Sequence, residues 1–137
     1  MTLLFADTSA LYAAADRQES RHDPCRLAYE QALRAGQTLV TTELVIAELH
    51  ALAVRQSHPD AALEIVRRLT TTARVEVESV GSVRLASAID LLAARRGRPY
   101  SLADAVSFVV MRERGIDRAL TLDMDFQAEG FEVLPAT

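Results

Sequence analysis

Apolar positions along the chain fall into short continuous runs separated by longer segments with helical spacing. Leu3-Leu4-Phe5-Ala6 predicts a first strand, and the polar Asp7-Thr8-Ser9 leads from it into an alanine-rich helix through Ala15. Asp23-Pro24 predicts an N-cap followed by proline at the first helical position, with Gly36 as the stop. Thr38-Leu39-Val40-Thr41 is the next strand; Leu44, Ala47, Ala51 and Leu52 then recur at helical spacing as far as Arg55. Pro59 opens a helix carrying Leu63, Val66 and Leu69. From Arg74 to Glu78, Val75 and Val77 alternate with charged residues, the pattern of a half-exposed edge strand. Ser82 is expected to cap a helix through Arg95, which the Arg96-Gly97-Arg98-Pro99 loop breaks. Ser101 starts a further helix, which Gly115 stops. Ala119-Leu120-Thr121-Leu122, ending at Asp123, and Phe131-Glu132-Val133-Leu134 complete the strands. Strands and helices alternating in this way predict an α/β fold: a mainly parallel sheet with helices on both faces.

In such a sheet, ligands sit beyond the carboxyl ends of the strands, near the point where strand order reverses. Asp7 and Asp123 each follow an apolar strand directly, so both belong at that end. Glu48 lies on an apolar helical stripe with Leu44, Ala51 and Leu52, where a carboxylate is costly unless paired or metal-bound. Asp104 stands in the first turn of the helix that begins at Ser101. Carboxylates converging on one pocket repel one another and raise each other's pKa unless a cation neutralises them. With only oxygen ligands in view, Mg²⁺ or Mn²⁺ is favoured over zinc. One such ion, or a pair about 4 Å apart, supplies what phosphodiester hydrolysis needs without a covalent protein intermediate: an activated, aligned water and a stabilised leaving oxygen.

Taken singly, each acid also fits a structural role. Asp7 fits an N-cap, Ser101-x-x-Asp104 fits a capping box, and Asp123 and Asp125 fit a turn after a strand. Glu48 has no capping role, although a buried arginine would satisfy it. Thr8, Ser9 and Thr121 offer hydroxyls that could orient the acids, or serve as ordinary caps and strand formers. Glu43 is five positions from Glu48 and points to another face, as a first-turn partner of the helix dipole. His22, His50 and His58 read as surface or packing residues.

Composition narrows the class. At 137 residues and 50% hydrophobic, the chain holds one sizeable core, so a single domain over 1–137 is expected. No stretch approaches the roughly 20 apolar residues of a membrane span, and the N-terminus lacks a basic signal-peptide region; a soluble cytoplasmic protein with no membrane partner is expected. The lone Cys25 makes no internal disulfide and reads as a small buried residue. A net charge of −4 argues against nucleic-acid binding through the bulk field but leaves room for a local basic rim. All 15 basic residues are arginine, as a GC-rich coding bias or selection for bidentate phosphate contact would give. Arg95, Arg96 and Arg98, just before Asp104, are candidate phosphate contacts, though a solvated loop fits them equally.

Four motifs in order, Leu4-Phe5-Ala6-Asp7-Thr8-Ser9-Ala10, Ala47-Glu48-Leu49, Ser101-Leu102-Ala103-Asp104-Ala105 and Thr121-Leu122-Asp123-Met124-Asp125-Phe126, resemble those of PIN domains over essentially the whole length. The resemblance implies a three-layer α/β/α fold and a Mg²⁺- or Mn²⁺-dependent endoribonuclease. It implies Asp7 and Asp104 as the principal metal ligands, Glu48 and Asp123 completing the site, and Asp125 as a fifth member. The compact length resembles VapC toxins of toxin–antitoxin pairs. That implies a homodimer silenced by a VapB-type antitoxin, and cleavage of structured RNA, transfer or ribosomal, to 5′-phosphate and 3′-hydroxyl ends. A non-catalytic PIN-like domain that only binds RNA or protein is the alternative, against which the intact acids argue. A haloacid-dehalogenase-like phosphatase fits less well: its second aspartate falls where Ser9 stands, and its lysine has no counterpart here.

Overall fold

In the first strand, β1 (Leu3–Ala6), Leu4 enters one hydrophobic core and its neighbour Phe5 another, and the rest of the architecture follows from that. The structure, a computed structural model, describes residues 2–136. β1 lies at the centre of a five-stranded sheet with β2 (Thr38–Thr42), β3 (Val75–Glu78), β4 (Arg118–Leu120) and β5 (Glu132–Leu134), in the order β3-β2-β1-β4-β5. Every pairing is parallel; Phe5 stands opposite Val40 on one side and Ala119 on the other.

On one face, Leu4, Leu39 and Leu120 pack against Ala10 and Ala13 of α1 (Thr8–Ala15) and Cys25 and Ala32 of α2 (His22–Arg34). On the other, Phe5, Val40 and Ala119 meet α3 (Glu43–Gln56), α4 (Pro59–Thr71), α5 (Gly81–Ala94) and α6 (Leu102–Glu113) through Val45, Leu49, Leu69, Ala88, Val106 and Met111. This is the expected three-layer α/β/α arrangement, with Cys25 buried as expected. Among the described residues, no helix is long and apolar enough to cross a membrane.

The chain steps outward from β1 to β2 to β3, then returns through α5 and α6 to β4 on the far side of β1. Strand order therefore reverses between β1 and β4, which opens a crevice at their carboxyl ends. β3 is an edge strand, half-exposed as its alternation predicts, and ion pairs guard it: Arg114 contacts Glu76 and Glu78, and Arg84 contacts Glu78 and Glu113.

Several boundaries differ from those the sequence predicts. The second helix begins at His22, so Asp23 lies inside the first turn rather than at the N-cap, and Pro24 is tolerated there because first-turn N–H groups have no intrahelical partner. Gly81 adopts φ 70°, a left-handed conformation glycine takes without penalty, and the chain enters α5 before Ser82, which caps nothing. β4 ends at Leu120 instead of Leu122. Beyond it the Leu122 and Asp123 N–H groups donate to the Ser9 and Thr121 hydroxyls, so side chains replace the strand ladder. The short helix α7 (Asp125–Ala128) was not predicted.

Beneath α7, the fully buried Phe108 of α6 meets the rings of Tyr100 at 5.2 Å, Phe126 at 4.9 Å and Phe131 at 5.8 Å. This aromatic cluster fastens the C-terminal part of the chain to α6. Phe108→Ala should cost about 3–5 kcal/mol in urea unfolding, since it removes a large buried side chain with three ring partners; a loss under about 1 kcal/mol would show that the cluster collapses freely into the space.

Candidate active site

The β1–β4 crevice gathers acids from four elements. Asp7 follows β1, Glu48 rises from α3, Asp104 stands in the first turn of α6, and Asp123 and Asp125 bracket the turn into α7. The first four line one cleft of about 420 Å³ together with Thr8, Ser9, Ala51, Leu52, Arg55 and Ser101. Asp104, Asp123 and Asp125 each offer a carboxylate oxygen within 4.8 Å of the others, a spacing suited to one cation.

Asp7 is the most enclosed of the set, 5% exposed. It occupies the N-cap position of α1, yet its side chain makes no capping bond. Its Oδ2 instead accepts from the Thr121 hydroxyl at 2.8 Å and the Ser9 hydroxyl at 3.3 Å. Those two oxygens in turn accept the N–H groups of Asp123 and Leu122, both at 2.9 Å. One hydrogen-bonded unit thus joins the ends of β1 and β4, and the three hydroxyl residues of the sequence reading all lie within the acidic site. The third, Thr8, donates to Glu48 Oε1 at 3.1 Å.

Asp104 is both a cap and a member of the cluster. The Ser101 hydroxyl accepts from the Asp104 N–H at 3.0 Å, and Asp104 Oδ2 accepts from the Ser101 N–H at 3.3 Å. Asp123 Oδ1 accepts from the Asp125 N–H at 2.9 Å, a turn that brings the two carboxylates together. Glu48 is more open than its apolar stripe implies, because it borders the cleft together with Ala51 and Leu52, and its hydrogen-bond partner is Thr8 rather than a buried arginine.

Burial pushes Asp7 up to about 6; the negative charges of Asp123 and Glu48 add to this, and the Thr121 hydrogen bond opposes it. Burial likewise raises Asp104 to about 6, reinforced by Asp7 and Asp123. Desolvation raises the pKa of Glu48 and Asp125 as well, with neighbouring acids contributing to both. The donor set consists of hard oxygens that raise one another's pKa, so a divalent cation fits it both by ligand type and by charge.

The loop arginines part company. Arg95 donates through Nε to Glu129 Oε2 at 3.0 Å and is committed to that pair, whereas Arg96 and Arg98 are exposed and the Arg98 charge is felt at Asp125. His22 bonds the Ala13 carbonyl through its ring, His58 caps α4, and none of the three histidines lines the cleft. Glu43, on its separate face, accepts the Val80 N–H. The sequence reading missed Arg55, which lines the cleft seven residues after Glu48; two helical turns put it on the same face, and that spacing was the available signal.

The pKa shifts carry a sign. Asp7 and Asp104 bind protons more tightly folded than unfolded, so their contribution to stability is complete below their ordinary value of 3.8 and is lost as pH rises through about 6. Asp16, held low by the Tyr12 hydroxyl, and Glu78, held low by Arg84, act in a more acidic window. In chelator, the melting temperature should therefore fall between about pH 4 and about pH 7, and Asp7→Asn should flatten the fall and melt above the wild type near neutrality. Thermal melts across that range decide it; identical profiles for the two proteins would remove Asp7 from the electrostatic account.

The chain matches the PIN domain family over residues 4–131. It is 33% identical to the 23S rRNA-specific endonuclease VapC20 of Mycobacterium tuberculosis over 135 residues, covering 97% of this chain and 99% of that protein. The crystal structure of that protein, described as a sarcin-ricin loop cleaving toxin, superposes with a TM-score of 0.83 at 31% identity, covering 93% of this chain and 95% of the other. The fold is shared more distantly with VapBC2 from Rickettsia felis bound to a promoter DNA fragment, at TM-score 0.70 and 12% identity over 96% and 97% of the two chains. DNA-bound VapBC from Salmonella typhimurium gives TM-score 0.66 and 17% identity over 97% of each chain. With a match spanning nearly its whole length and a full-length relative at one-third identity, the chain belongs to the PIN-domain family.

Proposed function

We propose that this chain is a single-domain, divalent-metal-dependent endoribonuclease, the toxin of a VapBC-type toxin–antitoxin pair, working in the cytoplasm. The observation that carries the reading is the convergence of Asp7, Glu48, Asp104, Asp123 and Asp125 at the strand-order reversal of a parallel sheet. Asp104, Asp123 and Asp125 would hold Mg²⁺ or Mn²⁺, with Asp7 and Glu48 completing the charge around it. A bound divalent ion supplies water activation and charge stabilisation at the phosphodiester. The chain's own residues supply placement: Thr121 and Ser9 fix the Asp7 carboxylate, Thr8 holds Glu48, and Ser101 holds Asp104. No histidine lines the cleft to act as a protein base, which suits metal-assisted hydrolysis.

The relative's 23S rRNA specificity makes a ribosomal RNA hairpin, the sarcin–ricin loop first, the substrate to test, ahead of transfer RNA. The VapBC assemblies among the structural neighbours support an antitoxin protein as partner; the homodimer rests on the resemblance to VapC toxins. The acidic cleft repels an RNA backbone until a cation offsets it. Arg55 on the cleft wall, and Arg96 and Arg98 on the neighbouring loop, are then the groups that meet phosphate.

Asp7→Asn and Asp104→Asn should each lower Mn²⁺-dependent cleavage of the hairpin at least roughly a hundredfold while leaving the circular dichroism spectrum unchanged; Glu48→Gln should cost about tenfold. Full metal-dependent activity in either aspartate variant would sink the assignment. Arg55→Ala and Arg98→Ala should weaken RNA binding by the inactive Asp7→Asn protein and lower the salt-dependence slope by about one each. An unchanged slope would take both arginines off the phosphate path.

A further inference from the structure

The best-connected acid of the C-terminal part lies outside the cleft. Glu129 follows α7, and only 5% of its side chain is exposed. Its Oε2 accepts from Arg95 Nε at 3.0 Å and the Tyr100 hydroxyl at 2.8 Å, and its Oε1 accepts from Arg112 Nη2 at 2.9 Å. Arg112 Nη2 also donates to the Glu129 backbone carbonyl at 2.9 Å, and its guanidinium lies 5.1 Å from the Phe131 ring centre. Two arginines and a tyrosine from three places in the chain thus converge on one carboxylate.

These places lead toward Asp104 and Asp125. Tyr100 immediately precedes Ser101, whose hydroxyl and N–H hold Asp104. Arg112 lies near the end of α6, the helix that carries Asp104 in its first turn. Glu129 donates its own N–H to the carbonyl of Asp125, one helical turn earlier. Arg95 anchors the start of the 95–100 loop, which Arg98 tightens by donating its N–H to the Arg95 carbonyl at 2.8 Å.

We infer that Glu129 is a positioning residue for the metal centre: through Tyr100 and Arg95 it locks α7 to the entry of α6, through Arg112 to the last turn of the same helix, and so sets the separation of Asp125 and Asp104. The inference rests on the metal-dependent reading above. Like charges brought within 4.8 Å separate unless their supports are tied together, and Glu129 is where the support of Asp125 meets that of Asp104. Arg95 thereby acquires a role within this tie, which leaves Arg96 and Arg98 as the loop's phosphate-facing pair.

The test is Mn²⁺ binding by titration calorimetry on the intact protein, with near-ultraviolet circular dichroism to establish that each variant keeps native packing. Glu129→Gln removes the charge that both arginines meet and should weaken Mn²⁺ binding about tenfold. Tyr100→Phe keeps the ring against Phe108 and loses only the hydroxyl, so it should fold as the wild type does and weaken binding several-fold; it decides the matter if Glu129→Gln does not fold. Arg114→Gln, which breaks the comparably connected pairs with Glu76 and Glu78 at the far sheet edge, should lower the melting temperature without altering Mn²⁺ affinity. If the wild type binds Mn²⁺ and the folded Tyr100 and Glu129 variants bind it equally well, Glu129 is structural only and the inference falls alone. If the wild type binds no Mn²⁺, the metal-dependent reading falls and takes this inference with it.

Discussion

Carboxylates gathered at one end of a sheet repel one another, and the local structure around the β1–β4 crevice is arranged to hold them there. The topology brings two of them together, because parallel strands on either side of the reversal end at the same level. Side-chain hydroxyls do the rest. Thr121 and Ser9 each donate a hydrogen bond to Asp7 and accept a backbone N–H from the segment after β4, so one network orients the acid and shapes the loop that carries Asp123. Burial, with the neighbouring charges adding to it, leaves Asp7 and Asp104 with raised proton affinity, an unbalanced state that a cation can offset.

The three-layer fold was legible in the sequence because its signals are local and repeated. The buried run at Leu4 and Phe5, proline at the start of α4, and the Ser101–Asp104 spacing each act within a few residues. What escaped was set by tertiary contacts. The end of β4 depends on Ser9, 113 residues from Leu122, and no window of sequence contains both. α7 is four residues long, too short to show a period, and its place is fixed by the packing of Phe126 on Phe5 and Phe108. The entry to α5 turned on the backbone of Gly81 rather than on the hydroxyl of Ser82.

The acids divide in the same way. Asp7 and Asp123 could be placed from strand ends alone, and Asp104 from its helix start. Glu48 stood out as a charge on an apolar stripe, but part of that stripe borders the open cleft: Ala51 and Leu52 line it beside Glu48, Leu52 while also packing against the core. Arg55 belongs to the same wall, and as one exposed arginine among many it carries no mark of its own in the sequence beyond its spacing from Glu48. The Glu129 cluster had no sequence signal: Arg95, Tyr100, Arg112 and Glu129 are joined only by the fold.

Capping and metal-site roles, which compete when a sequence is read, coexist at Asp104. Its Oδ2 closes the capping box with Ser101, which fixes the carboxylate at the positive end of α6. A helix N-terminus and two bonds with Ser101 would ordinarily hold an aspartate at or below its usual proton affinity. Asp104 is nonetheless raised to about 6, so burial and the charges of Asp7 and Asp123 outweigh the cap. The cap therefore supplies direction while the crevice supplies unbalanced charge. A carboxylate oriented by one set of contacts and left electrostatically unsatisfied by another is suited to ligate a cation without rearranging.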